Sequence, residues 1–141
     1  MKEVDNSNLS KEWVKAAFYD LENIRYILKA EHLTHIVALH SQQAIEKLFK
    51  ALIIQDSNTI PKVHDLIKLY KLVKKKIVIE DDTLLEDLND LYLDSRYPSD
   101  MGLLPYGKPS LEDAKEFYEF AQGIFDEVCE VLEIKKELFY E

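Results

Sequence analysis

Apolar residues in this chain recur at steps of three and four, the spacing of one face of an α-helix, and not at the step of two that marks a half-buried strand. Behind Ser10, a residue suited to an N-cap, the series Trp13, Ala17, Leu21, Ile24 and Leu28 predicts a first helix over 11–29. A second, over 33–55, carries apolar residues on nearly every side of its wheel, among them Val37, Ala44, Ile45, Leu48, Phe49 and Leu52. That makes it the expected central, most buried helix. Asp, Ser, Asn, Thr and Pro across 56–62 mark a loop, and a shorter helix follows over 64–75. Residues 77–79 are apolar but have no partner run, so they read as a connector, with Asp81, Asp82 and Thr83 as caps for a fourth helix over 83–96. Its core face reads Leu84, Leu88, Leu91 and Ser95, with Leu85 and Tyr92 alongside. Three of the four prolines and two of the three glycines fall in 98–109, which is the one substantial loop. Ser110 with Asp113 resembles a capping box, and the stripe from Ala114 through Phe117, Ala121, Phe125 and Val128 to Leu132 predicts a last helix ending near residue 136. The expected fold is all-α, an up-and-down bundle of four or five helices.

Composition narrows the function more than the fold. The 141 residues fit a single domain over 1–141, with no internal repeat or boundary in the pattern. A formal charge of −9 opposes non-specific DNA binding, which needs a coat of counter-charge for the phosphates. The local exception, Lys71 with Lys74, Lys75 and Lys76, reads as a solvated helix end. One cysteine, Cys129, allows no intrachain disulfide and fits a reducing compartment, so a cytoplasmic home is expected. Met1 to Glu12 is polar, and no apolar run approaches the ~20 residues of a membrane span, so neither secretion nor a membrane partner is expected.

Three groups of polar residues are candidates for chemistry. On the second helix, His40, Gln43 and Lys47 share one stripe at i, i+3 and i+7, while Gln42, Glu46 and Lys50 form another. Both read either as solvent-facing edges and satisfied helix-helix hydrogen bonds, or as a surface shared with a partner subunit or ligand. At the end of the fourth helix stands Asp94-Ser95-Arg96-Tyr97-Pro98, where Arg96, one of two arginines, offers a planar fork suited to a phosphate or carboxylate. Arg96 is equally able to meet the helix's last carbonyls. The third is His64-Asp65 at the start of the third helix, an acid-base candidate that also suits an N-cap or a hydrogen-bonded core role. His32 and His35 with Glu31 do not make a metal site, and no spacing matches a zinc, EF-hand or di-iron pattern. No metal or other cofactor is called for.

The run His40-Ser41-Gln42-Gln43-Ala44-Ile45-Glu46-Lys47-Leu48-Phe49-Lys50-Ala51, then His64-Asp65-Leu66 and Ser95-Arg96-Tyr97-Pro98, preceded by Trp13, Ala17 and Asp20-Leu21, resembles the HEPN domains. Order and spacing hold over roughly residues 10 to 135. The resemblance implies a helical bundle that dimerises, with the second helix's polar residues and the arginine of the fourth near the subunit interface. Many HEPN proteins are metal-independent ribonucleases whose motif is an arginine followed after four to six residues by a histidine. Here the corresponding positions after Arg96 hold Met101, Gly102 and Leu103, and no histidine follows. Arg25 and His32 meet the spacing on the wrong helix.

That departure removes the group expected to move the proton of an attacking 2′-hydroxyl, although Arg96 still suits the charged phosphorane. Non-catalytic relatives are commonly encoded beside a minimal nucleotidyltransferase and act as its partner, as in toxin-antitoxin pairs. The expectation is therefore a homodimeric module that binds a nucleotide or a small nucleotidyltransferase through His40, Gln43, Glu46, Lys47, His64, Ser95, Arg96 and Tyr97. The alternative is an RNA-cleaving enzyme using Arg96 with His64 or His40.

Overall fold

The computed structural model describes residues 6–57, 59–95 and 108–140. Among them run five α-helices and no strand: α1 (Ser7–Ile27), α2 (Thr34–Gln55), α3 (Leu66–Val73), α4 (Asp82–Ser95) and α5 (Leu111–Val131). Single 3-10 turns lie at Glu31–Leu33 and Lys136–Tyr140.

α1 and α2 form an antiparallel hairpin, the most extensive pairing in the molecule. Asn6 Nδ2 reaches the Ile54 carbonyl at 2.8 Å, and Ser10 Oγ donates to the Ala51 carbonyl at 2.7 Å, so the start of one helix lies on the end of the other. Ser10 is therefore not the N-cap its position suggested. The helix begins three residues earlier, after Asn6, and the Ser10 hydroxyl is spent instead on a buried tie between helices.

α2 is the hub, in contact with each of the other four helices. Val37, Ala44, Ile45, Leu48, Phe49, Ala51 and Leu52 are buried on it and join one core with Leu21 and Ile24 of α1, Leu66 and Leu69 of α3, Leu85 and Leu88 of α4, and Phe117 and Phe125 of α5. A helix apolar on most sides is stable only when its neighbours cover it. On α4, Leu85, Leu88 and Leu91 are buried, while Leu84 is half-buried.

Local capping sets most of the boundaries. Asp65, not His64, caps α3 by accepting from the backbone N–H groups of Ile67 and Lys68. Asp81 accepts from Leu84 N at the start of α4, and Ser110 and Asp113 complete the capping box of α5. Residues 77–79 form a connector, pinned by Ile79 N donating to Tyr70 Oη at 2.9 Å. α5 stops at Val131, short of residue 136. Glu133 takes φ 57°, and Ile134 N donates back to the Cys129 carbonyl at 2.8 Å, a reversal of the kind that usually uses glycine. The chain then folds Phe139 onto Phe18, ring centroids 5.4 Å apart.

Candidate functional site

At about 100° per residue, His40, Lys47, Gln43, Lys50, Glu46 and Gln42 follow one another around α2 within about 160°. The two stripes are thus one continuous polar arc, and two carboxylates organise it.

The first carboxylate comes from α1. Asp20 is 6% exposed, and Lys47 Nζ donates to its Oδ2 at 2.7 Å while His40 Nδ1 lies 3.0 Å from Oδ1. The second is Glu46 itself, 8% exposed. Its Oε2 accepts from Lys50 Nζ at 2.9 Å and lies 2.9 Å from His64 Nδ1, and its Oε1 accepts from Gln42 Nε2 at 3.2 Å. Gln42 Nε2 also lies 3.3 Å from the His64 carbonyl, which ties the segment before α3 to the flank of α2. Lys50 Nζ stands 5.8 Å from the centre of the Trp13 ring, whose π face stabilises a cation there. Asn89 of α4 completes the support, accepting from Leu66 N at 2.9 Å and donating to Asp65 Oδ1 at 3.3 Å.

The chemical consequence lies in the histidines. A carboxylate at Nδ1 selects the tautomer in which that nitrogen carries the proton of the neutral ring, which makes Nε2, on the far side of the ring, the basic atom. Both His40 and His64 are held this way, and the His64 side chain is 59% exposed against 26% for His40. Glu46, being already neutralised by Lys50, orients His64 without leaving an unbalanced buried charge. This arrangement suits proton transfer at His64 or, in the protonated ring, a hydrogen bond donated from Nε2 to an anionic ligand. Cys129 is not poised as a nucleophile: burial pushes its thiol up to about 11, so it stays protonated at neutral pH.

Of the residues singled out in the sequence, His40, Gln43, Glu46, Lys47 and His64 therefore share one edge of the bundle, with Gln43 half-buried between the two clusters. The stripe of Gln42, Glu46 and Lys50 is not a solvent-facing edge: the three are 0%, 8% and 5% exposed. Ser95 is the last residue of α4. Arg96 and Tyr97 lie outside the described residues.

Sequence reasoning missed the role of Asp20. The signal was present, because a carboxylate beside Ala17, Leu21 and Ile24 on the buried side of α1 requires a partner. Among the described residues no three His, Cys, Asp or Glu side chains are grouped to hold a metal ion, and no helix is long and apolar enough to cross a membrane.

An all-α bundle whose central helix carries a polar arc closed by ion pairs to α1 and to the segment before α3 defines the class of protein. A family model, the HEPN domain, matches residues 10–134, and the chain belongs to that family. Among curated proteins and solved structures, none matches the chain.

Proposed function

We propose that this chain is a homodimeric HEPN module that binds a nucleotide, a small nucleotidyltransferase partner, or both, at the polar edge of α2. The observation that carries the reading is the orientation of donors there. Lys47 and His64, each fixed by a buried carboxylate, present a cation and a hydrogen-bonding ring on the same edge, a combination that suits a phosphate. The half-buried residues Ile36, Leu39 and Gln43 on the same face of α2 suit a subunit contact beside that site. Both components belong to the cytoplasm in this reading.

Titration calorimetry with ATP, GTP and their monophosphates tests it, together with light scattering for the dimer and pull-down of the product of a neighbouring nucleotidyltransferase gene. The wild type gives saturable binding that Lys47→Ala and His64→Ala weaken. Absence of saturable binding to every nucleotide and to the partner would sink the reading.

The Glu46–His64 geometry also favours a second reading, a metal-independent ribonuclease in which His64 moves the proton and Arg96 stabilises the phosphorane. It requires RNA cleavage in EDTA that His64→Ala and Arg96→Ala each abolish. Undiminished cleavage by either variant removes it.

A further inference from the structure

On the opposite flank of α5 from its contact with α1, a groove of about 470 Å³ opens between the outer face of α5 and the connector that leads into α4. Its apolar lining is Val78, Ile79, Phe120 and Ile124, and Val78 is 68% exposed although valine gains nothing from water. Gly123 lies in the middle, and a Cβ placed there would meet no atom within 4 Å. A glycine inside a helix is destabilising relative to alanine, and among the described residues no packing against it explains the residue.

The rim has a single sign of charge. Glu80, Asp81, Glu119 and Glu127 line the groove, and among the described residues no lysine, arginine or histidine does. Asp81 accepts from Leu84 N to cap α4, whereas Glu80, Glu119 and Glu127 make no ion pair or side-chain hydrogen bond among the described residues. The negative field extends along α4, where Asp87 is pushed up by burial and by Asp90, Glu86, Asp81 and Asp113.

We propose that this groove docks a basic amphipathic helix of a partner protein, with apolar side chains over Gly123 and lysines or arginines facing Glu80, Asp81, Glu119 and Glu127. Charge complementarity selects the partner: an acidic or neutral segment would leave the four carboxylates uncompensated beside the apolar lining. Dimensions agree, since α5 contributes residues 119 to 127, about 12 Å or two turns of helix, which two turns of a partner match. This surface is separate from the α2 edge and does not depend on what binds there.

The test uses labelled helical peptides of about 14 residues, built from Leu and Lys in amphipathic order, with two controls of the same length. In one control Glu replaces Lys; in the other Ser replaces Leu. Fluorescence anisotropy with the whole protein gives saturable one-to-one binding of the Leu/Lys peptide, and about tenfold or weaker affinity for either control. Glu119→Lys combined with Glu127→Lys weakens binding by about tenfold or more. Gly123→Arg, which replaces a poor helix former by a good one and supplies the groove with its own cation, does the same with unchanged helicity and an undiminished melting temperature. The proposal is overturned by equal binding of the Ser/Lys peptide, by equal binding of the Leu/Glu peptide, by no binding at all, or by full affinity in Gly123→Arg. Assembly of the protein with itself through Leu72 and its neighbouring lysines, abolished by Gly123→Arg, would reassign the groove to a second copy and also overturn it.

Discussion

Asp20 and Glu46 are matched carboxylates with opposite surroundings. Their side chains are almost equally withdrawn, at 8% and 11% exposure, and each faces one lysine and one histidine. Around Glu46 the lysine is covered (Lys50, 7%) and the histidine is open (His64, 59%). Around Asp20 both partners lie at the surface edge, Lys47 at 29% and His40 at 26%. One cluster thus settles its charge inside the protein and turns an orientable ring outward, while the other turns a cation outward. The same pair of ingredients yields a structural ion pair with an exposed base in one place and a charge-bearing edge in the other. Which side chain is buried, and not which is present, decides what each cluster offers a ligand.

Breaking the Glu46 cluster has the largest expected effect. Lys50→Met leaves Glu46 buried without its cation, and removing one partner of a buried pair costs about 3–5 kcal/mol. Urea unfolding followed by circular dichroism reads this as a lower midpoint at unchanged slope. Combining it with Glu46→Leu restores most of the loss, because the desolvated charge is then gone from both sides. If the double variant is as unstable as the single, Lys50 acts through its packing on Trp13 and not through Glu46.

Lys47→Met removes the corresponding cation from Asp20 with a smaller expected loss, about 1 kcal/mol, because His40 and nearby solvent still reach the carboxylate. The same denaturant series measures it, and a loss equal to that of Lys50→Met would erase the distinction between the clusters. For the nucleotide binding proposed above the expected order reverses: Lys47→Met is expected to weaken affinity, whereas Lys50→Met is expected to act through the fold alone.

Much of this organisation was readable from the chain wherever its cause is local. The central helix follows from apolar residues on most of its wheel, the capping box from Ser110 and Asp113, and the start of α4 from Asp81. What escaped has distant or unusual causes. The partner of Ser10 is the carbonyl of Ala51, 41 residues away, so a residue with good capping chemistry was spent elsewhere. The end of α5 is set by Glu133 in a left-handed conformation, where glycine would have announced the turn and glutamate does not. At the candidate site the polar arc was visible residue by residue. The division between covered and open members was not, because it depends on Asp20, Trp13 and His64 arriving from other segments.

A third, smaller effect separates the paired polar residues of α2 from one that is unpaired. Ser41 is fully buried on the opposite side of the helix from the arc, and its hydroxyl has no hydrogen-bond partner. An unsatisfied buried hydroxyl costs free energy, and alanine is the better helix former, so Ser41→Ala is expected to stabilise the protein by about 0.5–1 kcal/mol. Thermal unfolding measures the gain. A loss instead would mean that the hydroxyl contributes to the packing of α2 in a way its missing partner hides.

The smallest effect concerns a histidine with no carboxylate to hold it. His35, five residues before the arc begins at His40, has its Nδ1 buried without a partner, and burial together with Lys108 and His32 pulls it below the ordinary histidine value of 6.5. As pH falls, the unfolded chain therefore takes up this proton before the folded one does. The stability that the neutral ring contributes is complete above that ordinary value and is lost progressively as pH drops through it toward the lower folded value. His35→Gln removes the titrating ring, so the difference in unfolding free energy between wild type and variant should shift against the wild type from pH 7.5 to pH 5.5, a range of about one unit on each side of 6.5. His40 and His64 differ in their surroundings, because each has a carboxylate oxygen within 3.0 Å of Nδ1. A pH-independent difference for His35→Gln would mean that the buried, unpartnered Nδ1 does not weigh against protonation of His35 in the folded chain, and the contrast with the carboxylate-held His40 of the same helix would fail.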